Sequence, residues 1–392
     1  MRDFHRSTTT WLARRTGRGS AARPPHRSHR RRLTLEPLEG RALLSLTTWT
    51  VNSLGDTGAG TGTSGDLRYV ITQADQTQGD NTINFAVTGT ITLNSALPDL
   101  SNTTGVMDIE GPGASSLTVA RSSAAPDFGI FTVDANVQAR LVGLAITGGV
   151  GNPGDNGGGI NNSGTVSVIN STIEGNSDSN FALFYNGDGG GIDNEYYGTM
   201  TVTGSTIENN SAGNGGGIAN SGVLTVTNSS VGGNSTYIFH GFGGNGGGIY
   251  NTGTMTVNDS TISGNSAYNG AGIDNAGTAT VSNSTIANNS NGFGLFANPA
   301  DIGGGIDSIG MLTVTNSTIA DNSAYAGGGT YSNGTLTVTN STIVDNSAPG
   351  YGANGGYGGG IDNAGTATVT STTSTTTRPA SAAASKTFLE AR

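Results

Sequence analysis

One phrase returns eight times and leaves this chain few ways to fold. Gly157-Gly158-Gly159-Ile160 is echoed in front of Ile192, Ile218, Ile249, Ile273, Ile306, Thr330 and Ile361. A run ending in Asn-Ser-Thr-Ile and a second Asn-Ser follows, cleanest at Thr335–Ile343 and Asp345–Ala348. The steps between the marked residues are 32, 26, 31, 24, 33, 24 and 31, so 24 residues is the basic unit and the longer steps carry insertions. A repeat at this period is the signature of a stacked array and is read before any local propensity.

Apolar residues alternate with polar ones inside each unit, as strands require. Three inward files follow: Ile160 with its counterparts to Ile306; Val168, Val202, Val226, Val257, Val281, Val314, Val338 and Val369; and Ile173, Ile207, Val231, Ile262, Ile286, Ile319 and Ile343. Thr and Ser fall between them, which suits an outer face. A unit has too few apolar residues to fold alone, but stacked units bury each file against itself. The spacing predicts an all-β parallel β-helix with about 24 residues per basic rung and rungs ~4.8 Å apart.

Asn marks three further columns, headed by Asn162, Asn170 and Asn176. Asn tolerates left-handed backbone, and stacked amides bond from one strand to the next. The Gly triplets supply positive φ and thin turns. Gly is 66 of 392 residues, a share that otherwise suggests low complexity, and the register of the columns turns it into a construction rule. Asn-Ser-Thr also matches a glycosylation sequon, here a by-product of the repeating corner.

Zero Cys excludes disulfides, thiolate metal sites and Cys nucleophiles. No apolar run is long enough for a transmembrane helix. Residues 1–45 carry 11 Arg against three acids, whereas residues 141–377 carry 14 acids and no Lys or Arg. Nucleic acid is therefore excluded as a partner of the body, which offers no cation to a phosphate. The expected organisation is a basic, largely disordered leader over 1–46, the β-helix over 47–370, and a disordered tail over 371–392. Within the β-helix, 47–140 forms a cap and irregular early rungs and 141–370 the eight repeats. Leu67 to Gln73 reads as a short amphipathic helix capping the first rung.

The phrases Gly-Gly-Gly-Ile-x-Asn, Asn-Ser-Thr-Ile and Asn-Ser-Ala together resemble polymorphic-outer-membrane-protein repeats and, more broadly, right-handed parallel β-helix surface proteins. Leu33 to Ser45, with Glu36-Pro37-Leu38-Glu39, Arg41 and Leu43-Leu44, resembles the LEPR-x-LL-type sorting motif of planctomycete surface proteins. The two resemblances imply a secreted or cell-surface, outer-envelope location and an adhesin-like, structural role.

Insertions leave from one corner and hold most of the body's aromatics: Phe181, Phe184 and Tyr185; Tyr237, Phe239 and Phe242; Phe293 and Phe296; Tyr351 and Tyr357. A row of aromatics there stacks on sugar rings or anchors a protein, so an extracellular glycan or an envelope protein is the expected partner. The rival is a carbohydrate-active enzyme, lyase or hydrolase, on a pectate-lyase-like β-helix. Asp274 and Asp307 share a register on adjacent rungs and are its catalytic candidates, at what reads as a variable outer position. No cofactor is required. Calcium is the metal an all-oxygen donor set would take, with Asp188 and Asp193 as candidates. Oligomeric state is not encoded in any of these patterns.

Overall fold

The computed structural model describes residues 46–151, 156–178, 188–239, 242–291, 302–349 and 356–376. The expected leader, from residue 1 to 45, and the tail beyond 376 lie outside them. Each turn of chain contributes one strand to each of three long walls. The longest wall has 14 strands and runs from Gly60–Thr61 and Ser64–Gly65 through Thr47–Val51 to Thr366–Thr370. An 11-stranded wall runs from Gly89–Leu93 to Thr373–Thr376, and a nine-stranded wall from Phe131–Val133 to Ile361–Asn363. A fourth, six-stranded strip from Val150–Gly151 to Ser290–Asn291 lies where the insertions leave. Rung-to-rung pairing is parallel and in step with the repeat: Ile160 faces Ile192, Val168 faces Val202, and Ile173 faces Ile207.

The three predicted files form the dry centre, with Ile160, Val168 and Ile173 each fully buried. A fourth inward file is added by the structure: Val166, Met200, Leu224, Met255, Ala279, Leu312 and Leu336. It lies two residues before the Val file on the same five-residue strand, so the strand's alternation already contained it. Full burial of a side chain of this size contributes roughly 1.5–3 kcal/mol, but only where the neighbouring rung covers it.

The three Asn columns have different roles. Asn170, Asn228, Asp259, Asn283, Asn316 and Asn340 take φ between 48° and 51° and turn the corner. The other two columns are buried amide ladders. In the first, the backbone N–H of Asn234 donates to Asn265 Oδ1 at 2.9 Å, and that of Asn265 to Asn289 Oδ1 at 3.0 Å. In the second, Asn162, Asn194, Asn220, Asn251 and Asn275 pass one amide bond to the next at 2.6–2.7 Å. A third ladder was not foreseen. The Ser of Asn-Ser-Thr, assigned to the outer face, is buried, and its Oγ accepts the backbone N–H of the Ser one rung earlier, as in Ser205 to Ser229 at 3.1 Å. Buried polar atoms are thereby satisfied inside an otherwise apolar tube.

Only the first Gly of each triplet has positive φ, as at Gly303 with φ 65°. The later ones are needed for close approach. A Cβ on Gly305 would lie 2.5 Å from Gly329 O of the next rung, too near for any side chain.

The capping helix is Leu67–Asp75, two residues longer than expected. Asp66 caps it by accepting the backbone N–H of Tyr69, and Leu67, Val70, Ile71 and Ala74 are buried. The helix packs on Thr47–Val51. Part of the free edge of that strand, at Thr50 and Val51, is taken by the small antiparallel pair Gly60–Thr61 and Ser64–Gly65, so the hairpin joins the helix in covering the first rung. At the other end the order continues past 370, where the disordered tail was expected to begin. Thr373–Thr376 pairs with Thr342–Asn346, because its alternating Thr and Ser can still fill a parallel ladder without any corner Asn.

Rung seven breaks two of the rules. Thr330 stands in the Ile file, 1% exposed, and its Oγ1 has no hydrogen-bond partner. Ser332 stands in an Asn column, and its Oγ is also unpaired. Burying an unpaired hydroxyl costs about 1–3 kcal/mol. Thr330→Val keeps the branched shape and removes the hydroxyl, so it is expected to stabilise the protein by about 1–2 kcal/mol. The check is a higher urea midpoint with an unchanged m-value; an equal or lower midpoint would count against a dry file at this rung.

Candidate functional site

The middle residue of each short strand in the nine-stranded wall points away from the core. Down the wall these residues are Thr132, Asn161, Asp193, Ala219, Tyr250, Asp274, Asp307, Tyr331 and Asp362. Sequence reasoning read this column as a variable outer position. It faces outward, but Asp193, Asp274 and Asp307 are only 5%, 7% and 4% exposed. The Gly turn of the same rung lies over the strand: a Cβ on Gly270 would fall 2.7 Å from Asp274 Cβ. Burial here is a product of the Gly triplet, which alternation alone does not reveal.

Asp274 and Asp307 are direct register partners. Burial pushes the Asp274 carboxyl up to about 7. Burial, and then the neighbouring charge of Asp274, push Asp307 up to about 8, against a lowering hydrogen bond from the Ser308 backbone. Tyr250 and Tyr331 flank the pair on the rungs to either side. Burial and the charges of Asp274 and Asp188 raise the Tyr250 phenol.

Further along the column lies a cleft of about 520 Å³ lined by Asn156, Asp188, Asp193, Glu195, Tyr196, Ser221 and Thr252. Burial holds Asp193 well above its usual range, with the charges of Asp188 and Glu195 acting in the same direction. Asp188 is raised by burial, and its Oδ1 accepts from Asn214 Nδ2 at 2.9 Å. Glu195 Oε2 accepts from Ser163 Oγ at 2.6 Å. Among the described residues no cluster of three or more His, Asp or Glu side chains is arranged to hold a metal.

Sequence reasoning missed two residues here. Tyr196 and Tyr197 are 73% and 86% exposed, with ring centroids 4.9 Å apart in an edge-to-face pair. They occupy the turn Asn194–Gly198, which is two residues longer than its counterpart Asn162–Gly164. That longer Asn-to-Gly spacing was the available signal.

The predicted aromatic edge is only partly described. Phe181, Phe184, Tyr185, Phe293, Phe296 and Tyr351 lie outside the described residues. Of Phe239 and Phe242 only the backbone is described, in the antiparallel pair Ile238–Phe239 and Phe242–Gly243. The base of that hairpin lies against the next rung, since a Cβ on Gly243 would fall 2.0 Å from Tyr268 Cβ. Tyr237 is half-buried with its hydroxyl 2.5 Å from Ser211 Oγ, and Tyr325 is buried. Tyr357 is 53% exposed.

Cations are scarce and already engaged. Among the described residues they are Arg68, Arg121 and Arg140. Arg68 pairs with Asp56 at 2.7 Å, Arg140 with Asp108, and Arg121 donates to the Gly148 carbonyl at 2.8 Å.

Residues 236–376 match the family described as Right handed beta helix region. The solenoid is a right-handed parallel β-helix, all-β apart from one short helix among the described residues. The crystal structure of pectate lyase Pel9A is similar at 14% identity over 79% of this chain and 82% of that chain, with a TM-score of 0.39. No curated protein matches. No helix among the described residues is long and apolar enough to cross a membrane.

Proposed function

We propose that this protein is a non-catalytic, secreted or cell-surface β-helix whose ligand is a neutral or amino-bearing glycan seated beside Tyr196 and Tyr197. The observation that carries this reading is the exposed tyrosine pair at the rim of a cleft lined by Asp188, Asp193 and Glu195. Aromatic faces take the apolar face of a sugar ring, and carboxylates accept from its hydroxyls or pair with an ammonium. Acidic polysaccharides are disfavoured, because the wall has no free cation to meet them. The external location rests on the resemblance of residues 33–45 to a sorting motif.

The rival reading, a glycoside hydrolase, draws on Asp274 and Asp307. Their strand spacing of ~4.8 Å is close to the roughly 5–5.5 Å of a retaining pair. Their burial counts against it, since the glycosidic oxygen must reach one carboxyl and the anomeric carbon the other. Truncating both Tyr196 and Tyr197 to Ala is expected to weaken glycan binding about tenfold, equivalent to roughly 1.4 kcal/mol, with the β circular-dichroism signal unchanged. Calorimetry against neutral, amino and acidic oligosaccharides reads this out. Unchanged affinity would remove the tyrosine pair from the account, and release of reducing ends from the same panel would replace binding by hydrolysis.

A further inference from the structure

Two carboxylates stacked at strand spacing, with no Lys or Arg anywhere in residues 141–377, leave a charge that the body cannot neutralise. Asp274 and Asp307 are in direct register on adjacent parallel strands. Both are more than nine-tenths buried, and Asp307 Oδ1 has no hydrogen-bond partner. A buried, unpaired carboxylate oxygen is costly unless something external satisfies it. A sugar cannot enter so closed a position, but a small ion with part of its water can.

We propose that Asp274 and Asp307 hold one calcium ion between them, with water completing its shell. The metal follows from the donors. Two carboxylates on neighbouring strands offer oxygen ligands alone, and magnesium demands a near-ideal octahedral shell whereas calcium is held in flexible geometry. Calcium also accepts the irregular, partly hydrated shell that two side chains leave it. This pair is separate from Asp188 and Asp193, the positions singled out in the sequence. Asp188 Oδ1 already accepts from Asn214 Nδ2.

Tyr250 and Tyr331 flank the pair on the neighbouring strands. The proposal is independent of the glycan reading, since neither Tyr196 nor Tyr197 belongs to this pair.

Terbium, a calcium mimic that emits when a nearby tyrosine is excited, tests it on the full chain. Wild type is expected to give tyrosine-sensitised emission that calcium displaces with an affinity of about 10⁻⁴–10⁻³ M and that magnesium does not. Calcium at the same concentrations should raise the melting temperature. Asp307→Asn should lose both responses, whereas Asp188→Asn should keep them. Tyr250→Phe and Tyr331→Phe, which leave the carboxylates in place, should dim the emission without moving the calcium midpoint. Equal responses in Asp307→Asn and wild type, loss in Asp188→Asn instead, or displacement by magnesium would each overturn the assignment.

Discussion

Asn265→Ala is expected to destabilise the protein by about 3–5 kcal/mol, more than an ordinary core truncation. The Asn265 side chain makes four bonds within one buried ladder. Its Oδ1 accepts the backbone N–H and the side-chain amide of Asn234, at 2.9 and 3.1 Å. Its Nδ2 donates to Val231 O at 3.0 Å and to Asn289 Oδ1 at 2.9 Å. Alanine removes all four bonds in a place without access to water; Asn289 Oδ1 keeps the Asn265 backbone N–H and Asn234 Nδ2 keeps Ile207 O, but the Asn234 backbone N–H loses its acceptor, and an unsatisfied group of this kind costs about 1–3 kcal/mol on top of the lost bonds. The exposed corner Asn283, with φ 50°, is the control. Asn283→Gly retains the left-handed turn and should change stability by less than about 0.5 kcal/mol. Urea denaturation followed by circular dichroism compares the two. A loss below about 1 kcal/mol for Asn265→Ala would mean that the amides do not stack.

With metal removed by chelation, stability is expected to fall as the pH rises from about 4 to about 8 and then to level off. In the unfolded chain Asp274 and Asp307 give up their protons near 3.8, whereas in the folded protein they keep them to about 7 and about 8. Between those values the folded state holds more protons, so raising the pH favours unfolding. Each tenfold gain in proton affinity on folding is worth about 1.4 kcal/mol, and the pair gains roughly three and four such factors, so its loss is on the order of 10 kcal/mol at most. Asp193, Asp188, Asp75, Asp108 and Asp362 are also raised by burial and act with the same sign. The double variant Asp274→Asn, Asp307→Asn keeps the side-chain shape and removes this titration. Its urea midpoints at pH 5 and pH 8.5 should lie much closer together than those of wild type. Stability that rises over that range in wild type would contradict the burial of the pair.

The fold was legible because identity of position repeats. Ile160, Val168 and Ile173 recur at matching offsets, and a parallel stack is the arrangement that makes such recurrence useful. The site was less legible because burial on the outer face depends on the path of the backbone. Alternation correctly turned Asp274 and Asp307 outward, but the Gly270 and Gly303 turns that cover them leave no mark in a hydrophobic pattern. The Ser ladder was hidden for a related reason. Ser205 looks like any outer Ser until the corner at Gly204, φ 59°, reverses which way the next side chain points. Tyr196 and Tyr197 leave a fainter mark in the sequence, because their turn gains only two residues where the other insertions gain many.

The Asn and Ser ladders give most coils of the repeat region an upper surface that fits their own lower surface. A coil copied or deleted as a whole therefore meets neighbours it already matches. Lineages carrying such a gene can change the length of the product in whole units, with no new contact to evolve, while the aromatic and acidic positions on the outside diversify independently.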